Sequence, residues 1–135
     1  MRVTLAISLT LASAALSVLL PSVAWAQGVP ELKALQGFSP GAWQVTAIGS
    51  ASSSSQCLAD ASVLLMGGRP GGQCGFSVIA DDADSATVTY RCEGGRSGRT
   101  VIRRDTKGLF TVDAQGLEGG RPFQNRSEWR RSGSC

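Results

Sequence analysis

Four cysteines and no histidine constrain any chemistry the 135-residue chain can perform. Histidine is the commonest general base near neutral pH and the usual zinc ligand. Its absence removes Ser/His and Cys/His nucleophile pairs at one stroke, along with the commonest zinc centres. The cysteines, Cys57, Cys74, Cys92 and Cys135, are even in number, which points to two disulfides and withdraws the thiols as nucleophiles. Among the carboxylates, Asp81, Asp82 and Asp84 crowd together as an acid/base pair or a calcium loop would. They lack the glycine and distal glutamate of a calcium loop, and aspartate is an ordinary turn former, so a turn is expected. The glycine-rich residues 67–72 and 94–98 resemble phosphate cradles. Neither run is followed by Lys-Ser or Lys-Thr, and neither joins a strand to a helix, so both read as turns. Asn125-Arg126-Ser127 is a glycosylation triplet set inside a strand and is read as accidental. The expectation is a non-enzymatic chain with no catalytic residue, metal or cofactor. A carboxylate-based hydrolase stands as an unfavoured alternative, since the register brings no two acids face to face.

Arginine is the residue type left to explain. It falls in two runs, Arg96, Arg99, Arg103 and Arg104, then Arg121, Arg126, Arg130 and Arg131. Its planar fork suits phosphate and carboxylate, so Arg99, Arg103, Arg104, Arg126 and Arg130 are the candidates for an anionic-ligand surface. The partner expected is an anionic envelope component or an acidic protein. Once Arg2 is set aside, 12 basic residues face 10 acidic ones, 12 − 10 = +2, too mild a charge for a nucleic-acid partner.

The elements that must carry these residues are mostly strands. Apolar residues alternate through Cys74, Phe76 and Val78, and again through Val88, Tyr90 and Cys92. A turn centred on Ala83 sets Val78 opposite Val88, Phe76 opposite Tyr90 and Cys74 opposite Cys92, so the register selects the Cys74–Cys92 bridge and leaves Cys57 for Cys135. A second hairpin joins residues 99–104 to 109–114 through Asp105-Thr-Lys-Gly108, with Ile102 facing Val112 and Arg104 facing Phe110. A first strand at residues 42–47 and a last at 122–130 complete the set, with Trp43, Phe123 and Trp129 inward. A short helix is expected at residues 30–36. Another is expected from Cys57 to Met66, with Leu58, Ala61, Leu64 and Leu65 on one stripe. The serine-rich residues 49–56 read as a flexible loop. The fold class is therefore mainly β (α+β): a curved antiparallel meander of about six strands, one short helix packed on its concave face, and two disulfides. The space between sheet and helix, lined by Trp43, Phe76, Val78, Tyr90, Phe110, Val112 and Trp129, suggests as an alternative a carrier of a small apolar ligand or lipid. A core closed by Leu58, Leu64 and Leu65 is favoured over it.

The first residues have the form of a secretory signal peptide: Arg2, an apolar run over residues 5–20 interrupted by serines, Pro21, and Ala24-Trp25-Ala26 before Gln27. Cleavage after Ala26 gives residues 1–26 as signal and residues 27–135 as one small disulfide-stabilised domain, periplasmic or secreted, monomeric, with no transmembrane anchor.

Pro40-Gly-Ala-Trp-Gln-Val-Thr46, the Cys57-Leu58 pair, the cysteines bracketing the central hairpin and the terminal Trp129-Arg-Arg-Ser-Gly-Ser-Cys135 resemble the bacterial periplasmic family called domain of unknown function 3617. The resemblance covers residues 38–135. The family usually has Thr-Pro and an acidic residue after that Cys-Leu, where this chain has Ala59-Asp60. The resemblance implies a small exported domain of Gram-negative bacteria with no assigned reaction, and a role in binding or envelope maintenance is expected.

Overall fold

The computed structural model describes residues 26–69 and 71–135. Seven long strands and one two-residue strand form a single antiparallel sheet: β1 (Ala26–Gln27), β2 (Gly41–Ala47), β3 (Ser53–Leu58), β4 (Cys74–Asp81), β5 (Ser85–Cys92), β6 (Ser97–Thr106), β7 (Leu109–Glu118) and β8 (Arg121–Gly133). Their order across the sheet is β1-β4-β5-β6-β7-β8-β2-β3. The helix α1 (Ser62–Leu65) lies against one face, which we call inner. The mainly β class, the single helix and both disulfides, Cys74–Cys92 and Cys57–Cys135, are as the sequence predicts.

The central hairpin takes the expected register, with Cys74 opposite Cys92, Phe76 opposite Tyr90 and Val78 opposite Val88. A bulge at Ile79 then shifts the pairing, so that Ala80 faces Thr87. Inner positions alternate as period-two strands require. Phe76, Val88, Tyr90, Ile102, Phe110, Val112 and Trp129 are all buried beneath α1 and the segment that precedes β2. Val78 departs from its expected inward place and is 44% exposed. It shares the face of Val88, but β4 has only the two residues of β1 beyond it, opposite Phe76 and Gly75, so nothing covers its far end. The second hairpin also holds its predicted pairs, Ile102 with Val112 and Arg104 with Phe110.

Three local expectations are corrected. Residues 53–58, read as the end of a flexible loop and the start of a helix, form β3, pairing with β2 from Thr46↔Ser53 to Gly41↔Leu58. An edge strand with most of its side chains in solvent needs no apolar alternation, and serines at its exposed positions serve. The helix expected from Cys57 to Met66 is a single turn, because Asp60 Oδ1 accepts the Ser62 N–H at 2.8 Å and starts the helix late. Gly67 and Gly68, at φ 68° and 81°, end it. Leu58 and Leu64 thus reach one core from different elements. The N-terminal helix shrinks to one 3-10 turn, Lys33–Leu35, crossing one end of the inner face with Ala34 buried.

Thr100 Oγ1 fixes α1 to the sheet by donating to the Leu65 carbonyl at 2.8 Å, and it is wholly buried there. Trp43, stacked on Phe38 at 5.2 Å and tilted against Phe110 at 5.7 Å, joins β2 to β7 and to the crossing segment. Among the described residues no helix is long and apolar enough to cross a membrane. The predicted signal segment lies outside the described residues except for Ala26, which pairs with Phe76.

Candidate functional site

Strand alternation sorts the arginines. On β6 the inner residues are Thr100 and Ile102, so Arg99, Val101 and Arg103 face outward; on β8 the inner residues are Ser127 and Trp129, so Arg126, Glu128 and Arg130 face outward. The registers β6–β7 and β7–β8 align them in rows: Arg99, Gln115, Gln124; Val101, Asp113, Arg126; Arg103, Thr111, Glu128. From strand spacing and rise, Arg99, Arg103 and Arg126 stand at the corners of a triangle with sides of ~12 Å between Cα atoms, with Asp113 inside it. Arg103 and Arg126 flank a shallow cleft of about 120 Å3 with Val101, Thr111 and Asp113.

Of the five arginines expected to form an anionic surface, four share this outer face and one does not. Arg104 sits at an inner position opposite Phe110. Its Nη1 donates to the carbonyls of Lys33 and Gln36 at 3.0 and 2.8 Å, and its Nη2 to the Ala83 carbonyl and Asp84 Oδ1 at 2.9 and 2.8 Å. It clamps the crossing segment to the β4–β5 turn, with both Nη groups engaged within the fold. Arg130 is outward but pairs with Glu128 at 3.2 Å. Arg96 is bound to the Gly71 carbonyl, and Arg131 donates to the Pro40 carbonyl at 3.0 Å. Arg99, Arg103 and Arg126 make no hydrogen bond or ion pair among the described residues and are exposed. The alternation that separates Arg103 from Arg104 was present in the sequence.

The aspartate turn is structural. Asp84 holds Arg104, and Asp81 Oδ1 accepts the Lys33 N–H at 2.8 Å. The triplet asparagine, Asn125, is half-buried and donates Nδ2 to the Gly67 carbonyl at 3.0 Å. Among the described residues no three Asp, Glu, Cys or His gather as a metal site would require. The space between sheet and helix is filled by side chains: Trp43, Phe110, Leu64 and Leu65 pack there with no exposure.

Among the described residues two buried side-chain polar atoms have no hydrogen-bond partner, Tyr90 Oη and Asn125 Oδ1. Burial pushes the Tyr90 phenol above its ordinary range, with Arg96 and Arg69 opposing the shift. The ring lies over Gly98, where a Cβ would come within 2.7 Å of Oη and 2.8 Å of the Gln115 carbonyl. Asp60, by contrast, is held below its ordinary value by hydrogen bonds from Ser62.

At the end of the inner face a groove of about 640 Å3 opens between the crossing segment and residues 59–61. Sequence reading missed it, because its two walls are far apart in the chain and come together only through the β2–β3 pairing. Searches with the chain matched no known protein family, no curated protein and no solved structure.

Proposed function

We propose that the chain is an exported, non-enzymatic binding domain whose outer sheet face engages phosphate or carboxylate groups of an envelope component. The observation that carries this reading is the division of labour among the arginines. Arg104, Arg130, Arg131 and Arg96 are used within the fold, whereas Arg99, Arg103 and Arg126 stand on one face with no hydrogen-bond or ion-pair partner among the described residues. Guanidinium groups held on a rigid sheet lose less freedom on binding than groups on a loop, and ~12 Å spacing suits a ligand with repeated anionic groups. Two disulfides fit an oxidising compartment, and the secretory form of residues 1–26 and the resemblance to the domain of unknown function 3617 family support export in the same direction.

The test is retention of the oxidised protein on phosphocellulose across a salt gradient. Arg103→Glu with Arg126→Glu should elute at clearly lower salt than the parent, and the parent's retention should fall as ionic strength rises. Co-sedimentation with phosphatidylglycerol vesicles separates a lipid headgroup from a soluble polyanion as the source of the anion. Equal elution of parent and double variant refutes the reading.

A further inference from the structure

The groove beside the crossing segment carries the opposite charge to the arginine face. Its floor is apolar: Leu32 and Ala61 are buried, and Leu35 and Phe38 are half-buried and open to it. Its lining residues hold three carboxylates, Glu31, Asp60 and Asp81, against one cation, Lys33, a balance of 1 − 3 = −2, with the Arg104 and Arg131 guanidiniums set behind the wall on the Lys33, Gln36 and Pro40 carbonyls. The whole chain is +3, so the rim is a local reversal of sign rather than a reflection of composition.

The three carboxylates line one groove without gathering closely enough to hold a metal ion. Asp60 and Asp81 each use Oδ1 on a backbone N–H, of Ser62 and Lys33 respectively, which orients the carboxylate; Asp60 is bonded by both the main chain and the side chain of Ser62, and the second oxygen of Asp81 makes no further bond among the described residues. Glu31 has no partner among the described residues. The Lys33 ammonium lies 3.4 Å from the Asp81 carbonyl oxygen and only partly offsets the three acids. The volume falls within the usual range for small-molecule sites, and an apolar floor with few polar groups at the rim is their usual composition.

We infer that this groove binds a cationic amphiphile, a single apolar chain or ring system bearing an ammonium or guanidinium group. The apolar part would cover Leu32, Leu35 and Phe38, and the head would sit among the rim carboxylates. An anionic amphiphile meets the same floor but is repelled at the rim, and a cation without an apolar part gains nothing from the floor. The site shares no residue with the outer arginine face, so either can fail without the other.

Phe38 is stacked on Trp43, so indole fluorescence reports occupancy. Oxidised protein is titrated with dodecylammonium, dodecanoate and spermidine below micelle-forming concentrations, with calorimetry in parallel. Dodecylammonium is expected to give a saturable change with one-to-one stoichiometry, at least about tenfold tighter than dodecanoate, and spermidine to leave the fluorescence unchanged. Glu31→Gln, which breaks no internal bond, should weaken dodecylammonium by about threefold to fivefold and leave dodecanoate unaffected. Ala59→Phe, at an exposed wall position, should block the groove without changing the unfolding midpoint. Dodecanoate binding as tightly as dodecylammonium, a non-saturable dodecylammonium signal, or unchanged affinity in both variants would each overturn the inference.

Discussion

Arg103 and Arg104 are neighbours in sequence with opposite work, and exchanging each for alanine separates the outer face from the fold. Arg104 makes four hydrogen bonds, three to main-chain carbonyls and one to the Asp84 carboxylate, and its side chain is 19% exposed. A hydrogen bond from a charged donor contributes about 1.5–3 kcal/mol. The carbonyls lie at the rim of the inner face and recover water when the guanidinium is gone, so only part of that sum is lost. Arg104→Ala should therefore cost about 2–4 kcal/mol, which for a domain of this size lowers the midpoint of thermal unfolding by about 10–20 °C. Arg104→Lys should recover little, since a single ammonium cannot span the Lys33, Gln36 and Ala83 carbonyls together. Arg103→Ala should change stability by less than about 0.5 kcal/mol, because the side chain touches no partner. Urea unfolding followed by tryptophan fluorescence measures both, and the phosphocellulose gradient measures binding. A crossed result is expected: Arg104→Ala loses stability and keeps retention, and Arg103→Ala keeps stability and loses retention. Equal stability losses, or retention lost in folded Arg104→Ala, would refute the assignment of the two residues to opposite faces.

Opening the Cys57–Cys135 bridge by a double serine substitution should cost more than opening Cys74–Cys92, about 4.5 against about 3 kcal/mol in the chain-entropy account, because their sequence separations are 78 and 18; urea midpoints decide. Tyr90→Phe should be neutral or stabilising by up to about 1 kcal/mol at neutral pH, since the buried hydroxyl has no partner. Its ionisation gives a second signature. The folded phenol titrates above the unfolded one, so the unfolded state loses its proton first and stability should fall as pH rises past about 10; that alkaline loss should shrink in Tyr90→Phe. Gly98→Ala should destabilise by about 1–3 kcal/mol, and the loss should diminish when Tyr90→Ala is combined with it, although the Gln115 carbonyl contact remains.

The parts of the fold legible in sequence were those in which two independent signals agreed. In the central hairpin the apolar alternation and the cysteine positions demanded one register, and the strands took it as far as the bulge at Ile79. Nothing in the residues announces that bulge, whose effect is to turn the last part of β4. β3 was hidden because an edge strand is held by its backbone, and Ser53, Ser54 and Ser55 carry no packing signal. The overlong helix arose because Leu58, Ala61, Leu64 and Leu65 have helical spacing although they meet in space from a strand, a turn and one helical turn. Of the candidate arginines, four lie on one face; Arg104 was wrongly counted with them, although its predicted place opposite Phe110 already set it on the inner side of β6. The groove was illegible, since its walls are residues 29–40 and 59–61 together with Asp81, brought together by the β2–β3 pairing on one side and by the Lys33–Asp81 bond on the other.

The position of β8 between β7 and β2 sets the order in which the molecule can assemble. β2 emerges early in synthesis, yet its inner neighbour is β8, and Trp43 and Trp129 close the core from positions 129 − 43 = 86 residues apart. Until the C-terminal residues are released, β2 has only the serine edge strand as a partner, and the far end of the chain lacks Cys135 to seal it. A nascent chain can thus pair β4 to β7 in turn, but it cannot join that meander to β2 until β8 is made. Its sheet and its second disulfide are therefore completed together, in one late step.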